Sequence, residues 1–293
     1  MLLTIITPVY NRAALLAECC RSLGRQTDLD FEWIIVDDGS TDGSADAAER
    51  FPTDRFPITV IRKENGGKHT AINAAIPHIR GQYTLFLDSD DTLTDDAVAC
   101  IRTAWAQYAG DGNIGIVTFL KGTDPHSPVC TVADFDTPVD ILRYPRQRIL
   151  HTDCCEVLRS ELLGRFPFPV FPGERFIAEC ALWNRIARTH KCVYREEIIY
   201  LCEYRADGLT KAGRSLRIRN PLGGMFICQL RIHPNNSLPQ RLKYAMLYCC
   251  YGFFAGLSPL TILRQDRGCL WLKVLALVPG YGLYLHWRSR YGG

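Results

Sequence analysis

Across the first 120 residues, short apolar runs alternate with helix-length segments, and this alternation constrains the fold more than any other feature of the chain. The runs at 2–7, 31–36, 58–61, 83–87 and 114–119 are rich in Ile, Leu, Val and Phe and carry a single charge, Glu32. They read as strands. Between them, 13–23 places Leu15, Leu16, Cys19 and Leu23 at helical spacing, and 43–51, 69–79 and 95–108 are long enough for further helices. Pro8 ends the first strand, and Asn11 is placed to cap the helix that follows. Strands joined by helices of this length predict an α/β fold: a Rossmann-like, mostly parallel sheet flanked by helices.

The strand ends differ in chemistry from the strands. Val36 runs into Asp37-Asp38-Gly39-Ser40-Thr41-Asp42, Asn65-Gly66-Gly67-Lys68 makes a tight turn into a helix, and Leu87 runs into Asp88-Ser89-Asp90-Asp91. In a parallel sheet such loops share one edge, where open α/β sheets bind ligands. Three carboxylates within four residues repel one another unless a cation neutralises them, and a divalent metal carrying a phosphorylated substrate suits that role. Asp91 is open to a second use, as the cap of the next helix. Asp42 reads as a helix cap and Asp37 as a turn stabiliser. Gly66 and Gly67 let the backbone come close to a ligand, and Lys68 can pair with a phosphate or with the acids.

Residues 121–210 are less regular. They contain Arg165-Phe166-Pro167-Phe168-Pro169-Val170-Phe171-Pro172, a helical segment at 181–187 and a β-like segment at 193–204. They are expected to cover the sheet and shape a second substrate pocket. Residues 211–293 are different again. They hold 12 Lys or Arg against one acid, Asp266, whereas 1–210 carries a net charge of −8. Within this tail 244–263 has no charge, and 269–287 has only Lys273 and His286 among titratable nitrogen bases. Gly252, Gly256 and Pro259 interrupt the first stretch. Trp271, Tyr281, Tyr284 and Trp287 with flanking arginines resemble an element that lies in a membrane interface. A buried helical subdomain and a true span are the alternatives. No nucleic-acid recognition motif accompanies the basic charge, so the expectation is an anionic membrane surface and no nucleic acid.

The 13 cysteines show no Cys-x-x-Cys spacing, which excludes a zinc ribbon or finger and fits thiols in a reducing cytoplasm. The histidines form no helical metal pair. His69 stands apart from the others only through its place beside Lys68. The N-terminal run is too short for a secretory signal and reads as a core strand.

Thr7-Pro8-Val9-Tyr10-Asn11-Arg12, Val36-Asp37-Asp38-Gly39-Ser40-Thr41-Asp42, Asn65-Gly66-Gly67-Lys68 with Ala71 and Asn73, and Leu87-Asp88-Ser89-Asp90-Asp91, taken in this order and spacing, resemble family 2 glycosyltransferases of the GT-A fold, bacterial cell-surface polysaccharide type. The resemblance covers about the first 120 residues. It implies a nucleotide-sugar-binding half at 1–120, an acceptor-side half at 121–210 and a helical extension at 211–293. It also implies sugar transfer with inversion from a nucleoside-diphosphate donor, a UDP-sugar, to a glycan or polyprenyl-linked acceptor at the inner face of the plasma membrane.

By the family pattern Asp90 binds Mn²⁺ or Mg²⁺, helped by Asp88, which also contacts the ribose with Ser89 beside it. Asp38 accepts from the base, Pro8, Val9 and Tyr10 form the wall beside the nucleoside, and Gly67 and Lys68 face the diphosphate. The catalytic base falls at Ala178-Glu179-Cys180, where the family's usual Glu-Asp pair has lost its Asp. Glu179 is the expected base, with Glu174 the alternative and Asp153 a third. Tyr204-Arg205-Ala206-Asp207-Gly208-Leu209-Thr210 resembles a family segment that closes over the diphosphate, with Arg205 or Lys211 as its cation. A catalytically silent sugar-nucleotide module and a nucleotidyltransferase are the competing readings. The second lacks support because 7–12 has no glycine.

Overall fold

The computed structural model describes residues 1–132, 134–140, 153–202, 209–234, 236–265 and 268–291. The chain divides into two compact units, 1–168 with 186–204, and 169–185 with 205–293.

In the first unit β1 (Leu3–Val9) is followed by α1 (Ala13–Gly24), β2 (Phe31–Asp37), α2 (Ser44–Glu49), β3 (Ile58–Arg62), α3 (Lys68–Ala75) and β4 (Tyr83–Phe86). The order β3-β2-β1-β4 is parallel throughout, with Leu3 opposite Phe31 and Tyr83, and Trp33 opposite Ile58. β1 and β2 are buried along almost their whole length, as expected of strands covered on both faces. Leu3, Ile5 and Val9 join Leu16 and Leu23 of α1 in one cluster with Trp33, Leu85 and Leu87. α3 packs on β1 and β2. Burial of each such side chain contributes roughly 1.5–3 kcal/mol, so the strand ends rest on a rigid base. One buried charge crosses this part of the sheet. Glu32 takes Thr4 Oγ1 at 2.7 Å, Arg80 N at 2.7 Å and Arg80 Nε at 2.6 Å, which satisfies both carboxylate oxygens.

Beyond β4 the sheet changes direction. After β5 (Thr92–Leu93) and α4 (Ala97–Ala106) come β6 (Ile114–Asp124), β7 (Ser127–Pro128), β8 (Cys154–Arg159), α5 (Ser160–Arg165) and, later in the chain, β9 (Lys191–Leu201). β8 lies between β4 and β6 and is antiparallel to both, while β9 runs parallel to β6. Residues expected to cover the sheet therefore extend it. The mostly parallel character belongs to the first four strands in spatial order, and the outer half is mixed.

The second unit contains α6 (Cys180–Ile186) up to its last residue, then α7 (Leu209–Arg219), α8 (Pro221–Arg231), α9 (Leu238–Phe254), α10 (Pro259–Arg264) and α11 (Leu270–Tyr291). The uncharged 244–263 stretch is broken at Gly256, which has φ +72, a conformation that suits glycine. Its first part folds into α9 with Ala245, Tyr248, Cys249 and Cys250 buried. Among the described residues no helix is long and apolar enough to cross a membrane. Gly280 brings α11 close to α9, since a Cβ there would lie 2.6 Å from Cys249 Cβ. All 13 cysteines are free thiols, nine of them buried, where they pack as small apolar side chains.

Candidate active site

Because β1 to β4 run parallel, the loops that leave them meet on one edge of the sheet. The first two are tied by small polar side chains. Asn11 has φ 52, a left-handed conformation that Asn tolerates. Its backbone N–H donates to Ser40 Oγ at 2.9 Å, and its Oδ1 accepts the Thr41 N–H at 2.8 Å. It is thus a loop clamp and not the cap of α1. Asp42 takes that role for both neighbouring helices. Its Oδ2 accepts the Ala13 N–H at the start of α1, and its Oδ1 the Ser44 N–H at the start of α2, both at 3.0 Å. Asp37 Oδ2 accepts the Ser40 N–H at 3.2 Å, as a turn stabiliser should.

Asp38, 3% exposed, joins the second loop to the third. Its N–H donates to Val9 O at 2.8 Å. Its Oδ1 accepts from Gly66 N at 3.0 Å and from Lys63 Nζ at 2.5 Å, its Oδ2 from Gly67 N at 2.7 Å, and its carbonyl from Asn65 Nδ2 at 2.9 Å. Gly67, at φ 94, permits this turn, and a Cβ on Gly39 would meet Asn65 N at 2.8 Å. Lys63 balances a carboxylate that burial would otherwise destabilise. Among the described residues Oδ2 holds one donor, which leaves it a lone pair for a further N–H.

Lys68 opens α3 and pairs with Asp88 Oδ1. Asp88 is 36% exposed at its side chain. Burial pushes its carboxyl up, but the Lys68 and Lys121 ammonium groups outweigh burial and hold it below the usual carboxylate range. Asp91 behaves oppositely. Burial, with the Asp88 charge beside it, pushes its pKa up to about 7, against the pull of the Tyr200 hydroxyl. That hydroxyl, on β9, accepts the Asp88 N–H at 3.0 Å and donates to Asp91 Oδ2 at 2.8 Å. Lys121 Nζ lies 4.2 Å from the centre of the Tyr200 ring and 3.0 Å from Asp153 Oδ1. Asp91 therefore caps no helix. The next residues, Thr92 and Leu93, form β5, and α4 begins only at Ala97.

The remaining first-unit candidates divide by exposure. Val9 is 1% exposed and its side chain belongs to the core, so of the expected nucleoside wall only Pro8 and the half-exposed Tyr10 ring offer side-chain surface. Ser89 is buried. Asn73 is structural, exchanging two 2.8 Å hydrogen bonds with the backbone of Phe168. His69 is buried and, among the described residues, neither ring nitrogen has a partner. Burial lowers its pKa against the pull of Asp38, which keeps it neutral.

No cluster of three or more His, Cys, Asp or Glu among the described residues forms a metal cage. Asp88 and Asp90 supply two hard oxygen donors. Such a pair suits Mg²⁺ or Mn²⁺ when substrate phosphates complete the coordination.

Two expected residues lie in the second unit. Glu174, 8% exposed, accepts the Leu222 N–H at 2.6 Å and the Gly223 N–H at 2.8 Å, in the first turn of α8. It is a helix cap with no part in pairing to Arg175 or Arg185, and burial pushes its carboxyl up against those two bonds. Glu179 is half-buried, and its carbonyl opens α6 by accepting the Leu182 N–H at 2.8 Å. The expected diphosphate-closing segment at 204–208, with Arg205, lies outside the described residues, as does the Lys211 side chain.

Sequence reading missed Lys63, Tyr200 and Lys121. Lys63 follows β3 at the same edge as the acids and could have been found from its strand-end position. Tyr200 and Lys121 are single polar residues on strands of the irregular half and carried no local signal.

Residues 4–156 match the family model described as Glycosyl transferase family 2. The chain belongs to this family. It is 43% identical over 93 residues to the uncharacterized glycosyltransferase EpsJ of Bacillus subtilis (strain 168), covering 32% of this chain and 27% of that protein. The chain matches between 16% and 38% of the length of the first curated relatives. Among solved structures it resembles S. aureus TarS 1-349 in complex with UDP-GlcNAc, with TM-score 0.63, 15% identity, and 99% of this chain and 92% of that one covered. It also resembles the mannosyltransferase PcManGT from Pyrobaculum calidifontis in complex with GDP-Man and Mn²⁺, with TM-score 0.58, 20% identity, and 97% and 86% covered. The family 2 fold is a mixed α/β sheet with flanking helices, here followed by C-terminal helices.

Proposed function

We propose that the chain is an inverting glycosyltransferase that takes a UDP-sugar and transfers the sugar to a glycan or lipid-linked glycan. The observation that carries this reading is the convergence of Asp38, Lys68, Asp88 and Asp90 on one sheet edge of a family 2 fold. Asp38 Oδ2 accepts the base N–H, Tyr10 lies against the nucleoside, and Lys68 exchanges Asp88 for the diphosphate. Asp90 and Asp88 would hold Mn²⁺ or Mg²⁺, which when bound would supply Lewis-acid stabilisation to the charge on the leaving diphosphate.

The acceptor hydroxyl attacks the anomeric carbon opposite the diphosphate. Its new C–O bond forms as the sugar–phosphate C–O bond breaks, and a base removes the hydroxyl proton. We assign that role to Glu179, the position where the family pattern places the base, while Glu174 accepts the first N–H groups of α8 and Asp153 pairs with Lys121. The basic C-terminal unit holds the enzyme at the cytoplasmic face of an anionic membrane, where lipid-linked acceptors reside.

UDP release from UDP-sugars, assayed with Mn²⁺ or with EDTA, tests the reading in wild type, Asp90→Ala and Glu179→Gln. Metal-dependent release that both variants lose supports it. Donor binding without turnover, across a panel of glycan acceptors, supports instead the silent module that Cys180 in the place of the usual Asp would permit.

A further inference from the structure

From Gly208 to the end, the only acid is Asp266. The helices α7 to α11 therefore carry a strong positive surplus, which the two described acids of the same unit, Glu174 and Glu179, offset only in small part. Two features of α11 indicate what that surplus meets. Its inner face, with Leu272, Ala276, Gly280 and Trp287, is buried. Its opposite face carries Trp271, Val274, Leu275, Val278, Tyr281 and Leu285, each at least 47% exposed and Val278 80% exposed. These positions recur every three to four residues and form one stripe about 20 Å long. Single exposed apolar side chains are ordinary, but a contiguous stripe of this kind marks a binding surface.

Along the edge of the same helix lies a cleft of about 540 Å³, lined by Ser215, Arg219, Phe254, Tyr284, Arg288 and Tyr291 among others. Arg288 donates to Tyr284 Oη at 3.2 Å, and Arg219 Nε to Ser215 O at 3.4 Å. Neighbouring Arg214 lies over the Trp287 ring, 4.5 Å from its centre, and donates to Tyr291 Oη at 3.4 Å. Aromatic rings thus hold the guanidinium groups of Arg214 and Arg288, and among the described residues neither pairs with a carboxylate. A cationic, aromatic-walled cleft beside an apolar stripe matches an amphiphile with an anionic head. A second copy of this unit would bring a like-charged surface, which argues against self-association.

We propose that α11 lies along an anionic phospholipid bilayer, with the 271–285 stripe in the apolar layer and a lipid phosphate in the cleft between Arg219 and Arg288. The inference rests on the membrane placement given above and names the surface that achieves it.

The test is co-sedimentation of the full chain with vesicles of phosphatidylglycerol and phosphatidylcholine, or of phosphatidylcholine alone, at low salt. Val278→Asp changes the stripe and Arg219→Ala/Arg288→Ala the cleft. Both alter exposed groups, and unchanged thermal unfolding confirms that the variants fold. We expect at least tenfold tighter binding to the anionic vesicles. Val278→Asp should lower it at least tenfold. The double variant should lower it about 30-fold, at roughly 1 kcal/mol per basic residue near an anionic surface, and remove most of the preference for anionic lipid.

Equal binding to both vesicle types, or no binding, overturns the proposal. So does saturation of the cleft by soluble glycerol phosphate with no effect of Val278→Asp, which indicates a free phosphate site. A dimer in light scattering that Val278→Asp dissolves, or selective binding of an acidic peptide in place of vesicles, likewise overturns it. UDP release measured without vesicles on the same preparations keeps the two readings apart. Vesicle binding without turnover contradicts the transferase, and turnover without vesicle binding contradicts this surface.

Discussion

Replacing Tyr200 with Phe removes one buried hydroxyl and leaves the ring, so no cavity complicates the result. The hydroxyl makes two bonds, accepting the Asp88 N–H at 3.0 Å and donating to Asp91 Oδ2 at 2.8 Å. A hydrogen bond to a carboxylate contributes about 1.5–3 kcal/mol, and a buried N–H left without a partner costs about 1–3 kcal/mol. The two losses overlap because Asp91 can protonate, so we expect a net destabilisation of about 3 kcal/mol. For a unit of this size that lowers the melting temperature by roughly 6–12 °C. Urea unfolding in EDTA measures the loss with any metal removed. The same variant should bind a nucleotide sugar more weakly, because the Asp88 backbone has lost its anchor. A change below about 0.5 kcal/mol would refute the reasoning, since the hydroxyl would then not be holding the acidic turn.

Asp91 gives a pH signature. Its folded pKa, about 7, is raised from the ordinary 3.8. Its contribution is therefore fully present below about pH 4 and is lost as pH rises through 7, by up to roughly 4 kcal/mol. Asp91→Asn should accordingly gain stability relative to wild type between pH 4 and 8 in EDTA, and a difference independent of pH would contradict this. Glu174→Ala should cost about 1–2 kcal/mol in thermal unfolding by uncapping α8, while UDP release stays within about threefold of wild type. Loss of all turnover in the folded variant would restore Glu174 as a base. Gly280→Val should destabilise the second unit by about 1–3 kcal/mol, because the added Cβ meets Cys249 Cβ at 2.6 Å and Met246 O at 2.9 Å. Calorimetry decides it.

The first half of the fold was legible because its signals are local. Periodicity marked the strands, and Asp42 and Asp37 stabilise turns and helix starts as their residue types suggest, whereas the roles of Asp88, Asp90 and Asp91 came from the family resemblance, and the helix-cap option for Asp91 gave way to its bond with Tyr200. What escaped depends on distant residues. β8 inserts between β4 and β6 after a long excursion that no pattern in the sequence directs. Tyr200 meets Asp88 and Asp91 from more than 100 positions away. Glu174 reaches α8 across 48 residues, so spacing alone left it indistinguishable from a base. Asn11 carries the residue type of a cap, but Asp42 satisfies the α1 N-terminus from the neighbouring loop and leaves Asn11 to clamp that loop. In the tail, apolar length permitted a span, and only the break at Gly256 and the close contact at Gly280 show that α9 is buried against other helices.

The central claim is that the acidic turn after β4 binds the metal–diphosphate end of a sugar nucleotide. Its most direct test is the kcat/KM for UDP release with Mn²⁺ in wild type and Asp90→Asn, a substitution that keeps size and removes charge. A loss of at least 100-fold in a variant with unchanged thermal unfolding, matched by EDTA treatment of the wild type, is the predicted result. Equal turnover in the two proteins, or full turnover in EDTA, contradicts it.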